Sequence, residues 1–249
     1  MALFNVISSI VDSFFNALCK VIFVMYVLLV PAIVSAVLGA QLVLSLALLK
    51  GDICPGQRGR FHHAFWVPTF AWLILVPSSF FAILPFLTLG IFAFRSKTGK
   101  TRRSGPIPLL YIANLLGVVT WITILMAEGG LLVVAGVLQL VLLGASLGHG
   151  LLVRARSRLQ AFDTLLPLAS VMAFMGLIVF VASVAALSHS DIAPTQINAF
   201  VAGAGFGLLA LAAQIWHLMK RIKPTLWRIN AGVLFMFAAV TCLNSVVMG

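Results

Sequence analysis

The sequence predicts an all-α polytopic transmembrane bundle of about seven spans, preceded by an N-terminal interfacial amphipathic helix. Composition is the first ground: of 249 residues 62% are hydrophobic and 8% charged, with a mean hydropathy of +1.17. Such a chain has too little polar surface to clothe a water-soluble globule. The apolar residues, moreover, gather in runs near or above the roughly 20 needed to cross about 30 Å of hydrocarbon. Finally, the basic residues collect in alternate turns between those runs, the distribution left by retention of positive loops on one side of a membrane.

Residues 1–19 differ from the remainder of the chain. Asn5, Ser8, Ser9, Asp12 and Asn16 recur at helical spacing, opposite Leu3, Phe4, Ile7, Val11, Phe14, Phe15 and Leu18. This pattern suits a helix lying along the interface, as an anchor or, in the alternative, as a docking surface for a partner subunit. Residues 20–249 read as the bundle, with spans near 21–49, 64–94, 108–127, 131–153, 164–187, 197–219 and 229–248. The first two are over-long and contain Pro31, and Pro68, Pro77 and Pro85, respectively. Proline removes a helix hydrogen bond, so both are expected to kink or tilt. For 64–94 a single kinked helix is favoured over a re-entrant hairpin turning at Pro77-Ser78-Ser79, because each half is short for a separate crossing.

Twelve of the sixteen Lys and Arg lie in three turns: Arg95, Lys97, Lys100, Arg102 and Arg103; Arg154, Arg156 and Arg158; Lys220, Arg221, Lys223 and Arg228. These turns are expected in the cytoplasm, with the N-terminus inside and the C-terminus outside a bacterial inner membrane. Arg58 and Arg60 fit less well, since seven spans would place them outside. The formal charge of +11 does not indicate a nucleic-acid binder, because the cations occupy short turns rather than one solvated face.

Several motifs are excluded. The stretch Thr98-Gly99-Lys100-Thr101 lacks the glycine that a phosphate-binding loop needs five residues before Gly99, where Phe94 stands. No lysine lies mid-span, as a retinal protein would require. Cys19, Cys54 and Cys242 have no metal-site or disulfide spacing. No N-x-S/T sequon and no basic leader before the first apolar residues are present. The acids Asp12, Asp52, Glu128, Asp163 and Asp191 all fall in the amphipathic helix or in turns, so no Ser/His/Asp constellation is expected at one membrane depth.

Two histidines remain. Gln139, Leu142, Ser146 and His149 share one stripe of the fourth span, and Gly203, Gly207, Ala210, Gln214, His217 and Arg221 share another on the sixth. Both imidazoles fall within about 8 Å of the basic boundary, at nearly equal depth. The candidate ligand pocket is therefore Ser146, His149, Gln214 and His217, with Arg154 or Arg221 at its mouth and an anionic or polar ligand favoured by their charge. Two such histidines also suit axial ligation of haem b, or a quinone head group. Gly144/Gly148 and Gly203/Gly207 form small-residue faces that could seat protein subunits. Trp66, Trp121, Trp216 and Trp227 read as interfacial anchors, and Trp72 as a packing residue. The similarity between H-x4-R-x-R at 149–156 and H-x2-K-R-x-K at 217–223 hints at a diverged hairpin repeat. The functional expectation is a transporter-like or channel-like unit or a membrane-embedded subunit of a larger complex, with a haem or quinone redox subunit as the alternative.

Overall fold

The computed structural model describes the backbone of residues 2–51, 53, 55–96, 105–155, 160–188 and 193–248, and side chains within these at 26–51, 53, 57–96, 105–155, 161–188 and 193–248. Expectations resting on Asp52, Cys54, Asp191, the 98–101 turn, Lys97, Arg102, Arg103, Arg156 and Arg158, and on the side chains of residues 1–19, lie outside the described residues. Those residues form α-helices α1 (Ala2–Lys50), α2 (Pro55–Ala64), α3 (Trp66–Ile74), α4 (Ile83–Arg95), α5 (Ile107–Glu128), α6 (Gly130–Arg154), α7 (Gln160–Leu187), α8 (Pro194–Met219) and α9 (Leu226–Met248), with a 3-10 turn at Phe80–Ala82. No strand occurs among them. Six segments are long and apolar enough to cross a membrane: Tyr26–Lys50 of α1, α5, α6, Ala161–Leu187 of α7, α8 and α9. The protein is a multi-pass all-α membrane bundle.

Local chemistry sets the ends. Pro108 stands at the start of α5 and Pro194 at the start of α8, where a missing N–H costs nothing. Gly129 separates α5 from α6 with φ +135°, a conformation L side chains rarely adopt, and its N–H closes on Leu125 O at 3.1 Å. The outward faces are apolar, as Ile112, Leu115, Val119, Ile122 and Met126 on α5 illustrate. In lipid those side chains need no cover.

The contacts fix the direction of each span. Gly39 lies against Gly144 and Val43 against Gly148, so α1 and α6 run parallel. Ser146 meets Ser170 and Leu138 meets Gly176 across α6 and α7, and Gln139 meets Asn244 and Gly150 meets Ile229 across α6 and α9, so those pairs are antiparallel. The spans α1, α6 and α8 thus run toward the end that carries Lys50, Arg154 and Lys220, and α5, α7 and α9 run away from it. This corrects the expected placement of the start of the bundle on the basic side: Tyr26 belongs to the opposite end, with the Gly129 turn. α1 is helical without a break from Ala2 to Lys50, a rise of about 74 Å.

The reversal comes from 64–94, which is not one kinked helix. Helices α3 and α4, of 9 and 13 residues, rise only about 14 and 20 Å and pack on each other as a hairpin that turns at 75–79. Both ends lie at the basic end, where Phe92 of α4 stacks edge-on against Phe65 at a centroid separation of 5.1 Å. The favoured single span gives way to the hairpin because polar partners anchor its legs and tip. Trp72 Nε1 donates to Gln41 Oε1 at 2.7 Å, and Gln41 Nε2 donates to Asn114 Oδ1 at 3.0 Å. Thr120 Oγ1 donates to the Phe81 carbonyl at 3.3 Å, and Tyr26 shares a hydrogen bond of 2.5 Å with Ser78 at the tip. Arg60 accordingly shares the end of Arg154, which removes the misfit of the seven-span reading.

The small-residue faces are consumed within the chain. A Cβ on Gly144 would lie 2.5 Å from Gly39 Cα, one on Gly148 2.7 Å from Val43 Cγ1, and one on Gly203 2.9 Å from Leu243 Cγ. A Cβ on Gly207 would enter the Phe174 ring. These faces serve close helix approach inside the bundle and are not open to partner subunits. Trp121 is likewise interior rather than an interfacial anchor, its Nε1 donating to Ser35 Oγ at 3.0 Å.

Candidate functional site

Four of the six expected pocket residues converge where α6, α7 and α8 meet near the basic end. α6 and α8 are parallel and carry imidazoles at matching depth, and the His149 and His217 ring centroids lie 5.3 Å apart with planes inclined at 40°. One turn deeper, Gln214 Nε2 donates to Ser146 Oγ at 2.9 Å. Ser146 Oγ also reaches the Leu142 carbonyl at 2.7 Å and Ser170 Oγ at 3.3 Å. Ser146, His149, Ser170 and Gln214 are each no more than 1% exposed. Ser146, Ser170 and Gln214 satisfy one another, whereas the ring nitrogens of His149 have no hydrogen-bond partner.

Asp163 and Ser170 complete the cluster and were not expected there. Asp163 is not a turn residue: it lies in the first turn of α7, where a carboxylate complements the helix dipole. Its Oδ1 stands 3.6 Å from His149 Nε2, and its backbone carbonyl lies 3.3 Å from His217 Nε2. The Asp163 side chain is 34% exposed against 1% for His149, so the carboxylate is the most exposed group of the cluster. Ser, His and Asp do therefore meet at one depth, contrary to the sequence reading. They do not form a nucleophile and base, since neither ring nitrogen of His149 is hydrogen-bonded to a serine.

The two arginines stand apart. Arg154 follows His149 by five residues, a turn of about 140° around α6, and it faces α2, where it lines a separate pocket with Arg60 and His63. Arg221 lies beyond the end of α8 with φ +49° and is exposed. Arg154 therefore forms no mouth over the histidine pair.

The pair does not suit haem. Two imidazoles on one iron, each with a metal–nitrogen bond of about 2 Å, hold their ring centroids about 6 Å apart on opposite sides of a wide planar macrocycle. Here the rings are closer, and both Nε2 atoms turn to Asp163 instead of to a common point between the rings. The described residues include no group of three or more His, Cys, Asp or Glu placed to hold a metal ion. The arrangement sets two imidazoles and one carboxylate within reach of one another inside the bundle.

A second polar cluster, Gln41, Ser45, Trp72 and Asn114, holds the hairpin against α1 and α5. Its bonds are mutually satisfied and it encloses no described cavity, so it reads as structural. Gln139 Nε2 donates to Asn244 Oδ1 at 2.6 Å between α6 and α9, leaving Gln139 Oε1 and Asn244 Nδ2 without a partner.

No curated protein and no solved structure matches the chain. A family model described as an integral membrane domain does match, over residues 1–246, in keeping with six apolar spans and an outward-facing apolar belt. The chain belongs to that integral membrane domain family.

Proposed function

We propose that the protein is a transporter-like unit of the bacterial inner membrane in which His149, His217 and Asp163 form a proton-exchanging site at the cytoplasmic end. The observation that carries this reading is the imidazole pair, 5.3 Å between centroids, buried inside spans and joined to a partly exposed carboxylate. Ionisable groups within spans are costly and mark ion or solute pathways. Ser146, Ser170 and Gln214 extend the cluster toward the bilayer centre with neutral hydrogen-bonding groups, as a path for a small polar solute or a proton requires. Retention of basic turns inside orients the bundle with Lys50, Arg60, Arg154 and Lys220 cytoplasmic. The span of α1 then begins, and α9 ends, on the outer side.

The test is proton flux. The full-length protein in liposomes that enclose a pH-sensitive dye, with an imposed inside-negative potential, is expected to acidify the lumen faster than protein-free liposomes. His149→Ala and His217→Ala should return the rate to that baseline. A wild-type rate equal to that of protein-free liposomes removes the reading.

A further inference from the structure

A pocket of about 420 Å³ opens at the basic end between α2 and the last turn of α6. It is within the size range of small-ligand sites. Arg60 and His63 of α2, at i and i+3, line one wall with Trp66 and Val67 at the start of α3; Leu151 and Arg154 of α6, at i and i+3, line the other. Three helices therefore form one cleft with a divided lining. Arg60, His63 and Arg154 are exposed at its rim, while Trp66, Val67 and Leu151 provide apolar wall. No carboxylate offsets the rim among the described residues: Asp163 is engaged by His149, and Glu128 lies at the opposite end of the bundle.

We propose that this cleft binds the phosphate-bearing headgroup of an anionic phospholipid. Each element of that ligand has its counterpart. Two guanidiniums can hold a phosphodiester through forked hydrogen bonds, which a lysine pair could not orient. A third donor, His63, reaches the same rim, and Trp66 lines the cleft beside it, a ring type that favours the glycerol level of a bilayer. The chains then leave along Val67, itself 38% exposed, onto the outward face of the hairpin, where Phe70 is 56% exposed. A soluble phosphate would use the arginines and leave the apolar wall without a role. This site needs only the membrane setting and stands apart from the transport reading, since none of its lining residues belongs to the histidine cluster. It also accounts for α2, a ten-residue helix at the headgroup level that carries Arg60 and His63 on one face and holds the mouth of the hairpin against α6.

The experiment measures the thermal unfolding midpoint of the purified full-length protein in neutral detergent, titrated with dioleoyl phosphatidylglycerol, dioleoyl phosphatidylcholine or inorganic phosphate. Phosphatidylglycerol is expected to raise the midpoint saturably, and phosphatidylcholine is not. Each arginine near an anionic headgroup contributes about fivefold, so Arg60→Gln/Arg154→Gln should raise the half-saturating lipid concentration about 25-fold, with Lys223→Gln, on the same end outside the cleft, leaving it unchanged. If the double variant does not fold, Arg60→Gln alone carries the test at about fivefold. Three results overturn the proposal: equal stabilisation by the two lipids, an unchanged half-saturation in the arginine variants, or an equal rise with inorganic phosphate at the same concentration, which would assign the cleft to a soluble anion. A proton flux that fails while this titration succeeds separates the two proposals.

Discussion

Substituting alanine for Gly39 is expected to loosen the whole bundle, because the obstacle it meets is backbone. A Cβ there would lie 2.6 Å from Gly144 Cα and closer still to the Leu140 carbonyl oxygen. Ordinary carbon contacts begin near about 3.5 Å, so α1 and α6 must separate by about 1 Å, and no rotamer change can spare them. A gap of that size forfeits a quarter to a half of each dispersion contact along the seam. Overfilling a packed interior costs about 1–3 kcal/mol, and here the upper part of that range applies, since the gain in helix propensity from Gly to Ala, at most about 1 kcal/mol, is small beside it. Gly205 gives the control. It lies in α8, where an added Cβ would have no neighbour within 4 Å, so Gly205→Ala should be neutral or stabilising. Thermal unfolding in lipid nanodiscs, followed by loss of the monodisperse species, compares the two. A Gly39→Ala midpoint equal to that of Gly205→Ala would show that the helices do not meet as closely as described.

Two further outcomes concern the hairpin. Single cysteines placed at Arg60 and Thr225 in a background lacking the native three should be labelled from the cytoplasmic side only, and one at Gly129 from the outer side only; labelling of Arg60→Cys from outside would restore the single-span reading of 64–94. Trp72→Phe removes the donor to Gln41 Oε1 and leaves a buried acceptor unpaired, at a cost of about 1–2 kcal/mol, read as a lower unfolding midpoint, whereas Trp227→Phe, at an exposed position, should leave the midpoint in place.

The last five helices were legible almost to their ends because each is an apolar run closed by a charge cluster, a glycine or a proline. The expected 108–127 and 131–153 became Ile107–Glu128 and Gly130–Arg154. Residues 64–94 defeated that logic. Hydropathy sees an apolar stretch of spanning length, whereas the turn at 75–79 is stabilised by Tyr26 and Thr120, which are distant in sequence. Distance to the basic boundary brought out the equal depth of His149 and His217, which works because α6 and α8 are parallel. Asp163 resembles a turn residue in sequence because a basic turn precedes it, yet it belongs to the first turn of α7. Pairing α6 antiparallel with the next span about its short connection would have set position 149 opposite about 165, within a helical turn of that acid. Arg154 is close to His149 along the sequence but about 140° from it around the helix, an angle that separation in sequence alone does not convey.

The hairpin that enters and leaves by one end has a consequence for how such a chain diversifies. Because α3 and α4 return to the side from which α2 approached, they add interior surface without inverting anything downstream. A lineage could gain, lose or replace this insert while every later helix kept its handedness to the membrane. The cost would fall on Gln41 and Asn114, two polar side chains left facing hydrocarbon where Trp72 had stood. Relatives without the insert should therefore carry apolar residues at those two positions together, a paired signature by which its presence can be read from sequence.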